Sequence, residues 1–207
     1  MIAAVVFLAL APHVIAAPDL SGVWEPEGLQ SIHSSASALL LHPDAKGKTA
    51  DPDANCTLSG VPRLDLGPKP FKILQSPDEV VILYQAYTTY RQVFTDGRPL
   101  PIDPQPSWLG YSVGKWDGDT FAVDTLGVNA RTWLDNAGRP HSDAMHLTER
   151  YHRRDFGHLD MKLTIDDPKA YTKPWSVDEN AVLLPDTDLL EYACSENNKD
   201  VDHLVGK

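Results

Sequence analysis

The sequence predicts an all-β chain closed into an antiparallel up-and-down barrel, with a β-sandwich as the alternative. Three observations point there. From Phe71 onwards, short β-favouring runs follow one another with little helix-forming sequence between them. Tight turn signals punctuate them at Asp96-Gly97, Asp117-Gly118-Asp119 and Asp155-Phe156-Gly157. The 17 prolines and 13 glycines also suit many turns better than long helices. An antiparallel meander of that length removes its exposed edges by closing on itself.

Taken in order, residues 1–17 (MIAAVVFLALAPHVIAA) are apolar, too short to span a bilayer, and end in small residues suited to signal peptidase. They read as a signal peptide without a positive n-region, or else as a buried N-terminal strand or helix. Asp19 to Trp24 is a short strand candidate. Residues 18–70 form an irregular wrapping segment with prolines at 43, 52, 62, 68 and 70, and a helical turn or two at Ala36 to Leu41. Residues 71–207 form the barrel core, one domain with that segment. Its strands are expected at Phe71–Gln75, Glu79–Phe94, Trp108–Trp116, Thr120–Val128, His141–Arg154, His158–Ile165, Trp175–Leu184 and Asp188–Cys194. A short terminal helix is expected at Asn198–Val205.

Composition narrows the partners. With 42% hydrophobic and 23% charged residues, the chain can bury an ordinary core. Its formal net charge of −11 argues against nucleic acid or anionic lipid, both of which require a cationic face. No second apolar run reaches membrane-spanning length, so export to the periplasm or beyond, without membrane insertion, is expected. Two cysteines, Cys56 and Cys194, suit one disulfide in an oxidising compartment; two buried free thiols are the alternative. The chain-entropy model sets the closure of so long a loop at up to about 5 kcal/mol.

Gly22-Val23-Trp24, at the start of a meander, resembles the Gly-x-Trp that opens lipocalin and related calycin barrels. That resemblance implies a lipocalin-like barrel with the tryptophan closing one end. The chain is also similar to a family of exported proteins of soil bacteria. The similarity rests on Asp19-Leu20-Ser21-Gly22-Val23-Trp24, on Gly97 to Trp108 and on Asn129 to Ser142 (NARTWLDNAGRPHS). It covers nearly the whole mature chain and implies no particular activity.

Strand parity locates candidate chemistry. Leu159, Met161, Leu163 and Ile165 alternate with polar residues, which marks the odd face as buried. On the partner strand the odd face holds Met145, Leu147 and Tyr151, together with His141, Asp143 and Glu149. A carboxylate between Leu147 and Tyr151 must be paired, hydrogen-bonded or neutral. Glu149 is therefore either a general acid or base with a raised pKa or one half of a structural pair. Arg91, on the odd face of the long strand with Gln85 and Thr89, is its natural partner. The loop from Asn129 to Pro140 adds Trp133 and Asp135 at a barrel mouth, where they could orient a hydroxylated or aromatic ligand. They could equally cap their own turns. His141, beside Asp135 or Asp143, could form a base dyad.

The spacing of His141, His146, His152 and His158 lacks a tight metal pattern, so no metal is expected. Gly-x-Ser-x-Gly is missing from the sequence, so a nucleophilic hydrolase is not expected, and without a Gly-rich phosphate or dinucleotide loop no cofactor is expected either. The leading expectation is an exported barrel handling a small organic molecule by cofactor-free acid–base chemistry, as a lyase, isomerase or hydratase. In that scheme His141 and Glu149 exchange protons while Arg91, Trp133 and Asp135 hold the substrate. A ligand-binding barrel without catalysis and a structural envelope-associated domain are the alternatives.

Overall fold

In a computed structural model, residues 17–27, 41–42 and 51–194 are described. Nine strands close into one barrel in sequence order. They are β1 (Gly22–Pro26), β2 (Phe71–Gln75), β3 (Glu79–Tyr84), β4 (Thr89–Phe94) and β5 (Tyr111–Asp117). β6 (Thr120–Leu126), β7 (His146–Arg153), β8 (His158–Asp166) and β9 (Trp175–Leu183) complete the wall. A short α-helix, α1 (Arg63–Leu66), enters from the wrapping segment. That segment is thus part of the barrel: it supplies β1, which pairs with both β2 and β9 and closes the wall. The expected signal peptide (but for Ala17), the turn at residues 36–40 and the terminal helix lie outside the described residues.

The expected long strand over residues 79–94 is two strands. Tyr87 and Thr88, with φ of 62° and 45°, reverse the chain, and Tyr84 faces Thr89, Ile82 faces Arg91 and Val80 faces Val93. Paired residue numbers here sum to an odd value, so the inward positions change from even on β3 to odd on β4. Gln85 falls in the turn and leaves the face expected for it. The opposite correction applies to residues 188–194. Expected as a strand, they run as coil, because β1 already occupies the free edge of β9. This coil returns along the outside, held by Lys72 to Asp188 at 3.0 Å and by paired bonds between Thr88 and Tyr192.

All neighbours are antiparallel except β4 and β5, which run parallel through Val93–Ser112 and Phe94–Val113. Asp96-Gly97 turns the chain into a crossover, not a hairpin. Prolines at 99, 101, 104 and 106 lack the N–H groups a ladder needs, so this stretch traverses the barrel without joining it.

Cys56 and Cys194 are bridged across 138 residues, with Cα atoms 5.5 Å apart. Reduction is expected to cost about 2–4 kcal/mol. Urea denaturation with and without reductant measures this, and equal midpoints would make the bridge irrelevant to stability.

The two barrel ends differ. Residues 76–78, 118–119 and 154–157 make tight turns at one end. There Trp24 is fully buried, its Nε1 donates to the Leu20 carbonyl at 2.9 Å, and Arg153 lies 5.1 Å from the ring centre. Gly22 makes room: at φ +145°, a Cβ there would meet Leu183 at 2.6 Å. At the other, wide end, where the connections are long, gather α1, the turn at residues 85–88, and the loops at residues 127–145 and 167–174. Apolar side chains such as Phe71, Phe121, Leu147, Leu159 and Leu163 fill the space between.

Candidate functional site

Arg91 is the hub of a polar cluster inside this apolar wall. Register explains its neighbours. Ser112 of β5 faces Thr125 of β6 and also Val93 of β4, so the two hydroxyls lie one and two strands from Arg91. Glu149 of β7 is flanked by Val123 and Leu163. Arg91 donates from Nε to Ser112 at 3.0 Å, from Nη1 to Glu149 at 2.9 Å and from Nη2 to Thr125 at 2.6 Å. A second Nη2 bond to Glu149 makes the pair bidentate. Tyr151 donates its hydroxyl to Glu149 at 2.8 Å. Burial opposes the charge on Arg91, but Glu149 outweighs it and holds the guanidinium protonated.

α1 adds a second carboxylate. Asp65 is 2% exposed and accepts the Tyr84 hydroxyl at 2.6 Å through Oδ1. Its Oδ2 has no hydrogen-bond partner and stands 3.7 Å from Arg91 Nη1. Burial, and then repulsion from Glu149, push Asp65 up to about 7, against the pull of Arg91 and the Tyr84 hydrogen bond. Burial and the Asp65 charge drive both Tyr84 and Tyr151 far above the usual phenol range.

The sequence-based candidates separate into two places. Arg91 and Glu149 meet as the expected pair. Trp133, Asp135 and His141 lie in the loop layer at the wide end, before β7 begins. Asp135 accepts from the backbones of Ala137 and Arg139 and from the Arg139 side chain, so it organises its own loop. His141 is buried, with Thr132 Oγ1 at 3.1 Å from Nε2 and the Ser142 carbonyl at 3.3 Å from Nδ1. A carbonyl only accepts, so Nδ1 carries the proton in the neutral ring. Asp143 departs from the expected buried face. The strand starts only at His146, and Asp143 is exposed with Lys169 at 2.7 Å.

Sequence reasoning missed the groups that surround Trp133. Arg63 of α1 lies 5.7 Å from its ring centre and makes two 2.7 Å bonds to Asp51. Two further bonds tie Arg63 to Asn136. Beside Arg63 is a pocket of about 70 Å³, lined among others by Asp53, Ser59, Tyr87, Asn136 and Tyr192. Ser59 lies 3.3 Å from both Asp53 and the Tyr87 hydroxyl, and burial raises Asp53 above the usual carboxylate range. Tyr87 and Tyr192 pack edge to face at 6.2 Å, so the disulfide-anchored coil forms one wall. Nothing periodic marks these residues, because the Pro-rich segment reaches them only through long-range contacts.

No known protein family, curated protein or solved structure matches this chain. The site therefore has to be read from its own chemistry. Glu149 is 1% exposed, and both its oxygens are engaged by Arg91. A substrate cannot reach its carboxylate unless the cluster opens. Among the described residues, no group of three or more His, Cys, Asp or Glu side chains could hold a metal ion.

Proposed function

We propose that this chain is an exported small-molecule-binding barrel whose ligand enters at the wide end, beside α1. The observation that carries this reading is the pocket between Arg63, Ser59, Tyr87 and Tyr192, which combines two aromatic faces with hydroxyl, carboxylate and amide groups. Such mixed walls suit a small aromatic or hydroxylated molecule. At about 70 Å³ the pocket takes a fragment, and a larger ligand requires its walls to move. Acid–base catalysis by His141 and Glu149 is less well supported, since both Glu149 oxygens are engaged by Arg91 and one also by Tyr151.

Export is part of the proposal. It is supported by the apolar residues 1–17, by the disulfide, which oxidising compartments favour, and by the lack of a membrane-crossing helix among the described residues. Membership in the exported soil-bacterial family, and kinship with calycins through Gly22 and Trp24, belong to the same reading.

The test is a thermal-shift screen of small phenols and hydroxylated rings, followed by calorimetry on any binder. Tyr87→Phe and Asn136→Ala are expected to weaken binding about tenfold, the effect of roughly one lost hydrogen bond. A binder indifferent to both changes, or a screen with none, would reject the pocket.

A further inference from the structure

We propose that α1 is a plug held by a proton: with Asp65 protonated it stays seated in the wide end of the barrel, and with Asp65 ionised it withdraws and opens the Arg91 cluster to solvent. Arg63 and Leu64 line the pocket described above and belong to the same turn, so this deepens that reading into regulation of the site. It rests on that reading only for what the movement means to a ligand.

The argument is a count of charges in a sealed space. On α1 itself, Arg63 is turned away to Asp51. Facing Asp65 are Tyr84 from β3, Arg91 from β4, and Glu149 and Tyr151 from β7. Two carboxylates thus share one guanidinium. Glu149 holds Arg91 in both hydrogen bonds of a bidentate pair, which leaves Asp65 at 3.7 Å with an oxygen bonded to nothing. One positive charge balances one carboxylate, and a second buried anion would stand without a counter-charge. A proton on Asp65 makes the cluster neutral.

The direction with pH follows. Burial and Glu149 raise the seated carboxyl to about 7, well above its solvated value of 3.8. Seating therefore retains a proton that the withdrawn form has already released. The plug is therefore weakened as pH rises from about 4 to about 7, by up to tenfold per pH unit, and the dependence levels off above that, where both forms are ionised. Withdrawal also unravels the turn, because four residues are far too few for a free helix. Three amides report this: Leu64 bonded to Gly60, and Asp65 and Leu66 both bonded to Pro62.

Hydrogen exchange on the intact chain tests the proposal, with protection factors corrected for intrinsic rates between pH 5.5 and 8.5. Leu64, Asp65 and Leu66 are expected to lose protection at least tenfold from pH 5.5 to 7 and to level off above about 7.5, while Met161 and Leu163 of β8 keep theirs. Asp65→Asn cannot ionise and should show a flat profile. Tyr84→Phe removes a hydrogen bond that favours the anion, so the loss should continue to higher pH before it levels off. A flat wild-type profile would overturn the plug, as would an Asp65→Asn variant that loses protection like wild type. If Asp65→Asn does not fold, an unmoved profile in Tyr84→Phe decides against it. No ligand enters this experiment, so its outcome and that of the ligand screen fail independently.

Discussion

Glu149→Gln should lower the stability of this barrel by about 3–5 kcal/mol in urea denaturation, the usual cost of removing one partner of a buried ion pair. The amide is nearly isosteric, so the loss reports charge and hydrogen bonding more than volume. Its NH₂ group would point a donor at a guanidinium that offers only donors. Asp65 gives this prediction a second part. With Glu149 neutral, the repulsion that helps raise Asp65 is gone, and its carboxyl can ionise beside Arg91 at lower pH. The double variant Glu149→Gln with Asp65→Asn then leaves Arg91 without an anion, and should cost more than the sum of the single changes by over about 1 kcal/mol. A Glu149→Gln protein as stable as wild type would mean that the carboxylate faces solvent.

Trp24→Ala should also cost about 3–5 kcal/mol, the range for deleting a buried aromatic side chain. The indole is fully buried and fills the tight end of the barrel. Its removal leaves a void and takes the ring from beneath Arg153, whose guanidinium is held by the carbonyls of Asp19 and Phe156 at 2.7 Å each. Trp24→Phe keeps most of the ring but loses the bond from Nε1 to Leu20, so about 1 kcal/mol of further comparison is available. The check is again a denaturant midpoint, and a loss below about 1 kcal/mol for Trp24→Ala would show that the tight end closes without it.

Much of this architecture could be read from residue order. The alternation of Leu159, Met161, Leu163 and Ile165 correctly assigned the inward face of β8 and, through the hairpin, of Glu149. Two-residue periodicity is a local property, so a sequence displays it directly. The same rule failed wherever the strand itself stopped. Asp143 sits ahead of β7, and Gln85 sits in a turn concealed within one continuous β-favouring run. Tyr87 and Thr88 are poor advertisements for a left-handed turn, since glycine or asparagine usually supplies it.

The sequence by itself determined that the chain is all-β, where most strands lie, that Arg91 and Glu149 share the interior, and that Cys56 and Cys194 stand as the only pair of thiols. Hydrophobic periodicity, turn chemistry and residue counts are all carried by short stretches of chain. Tertiary structure decided what closes the wall, why β4 meets β5 in parallel, and what faces Arg91 besides Glu149. Those outcomes depend on contacts between residues far apart in the chain. Asp65 lies 26 residues before Arg91 and 84 before Glu149, in a stretch with no strand pattern, and only closure of the barrel brings its carboxyl into their company. A buried charge takes its character from every neighbour at once, and that set of neighbours exists only in the folded chain.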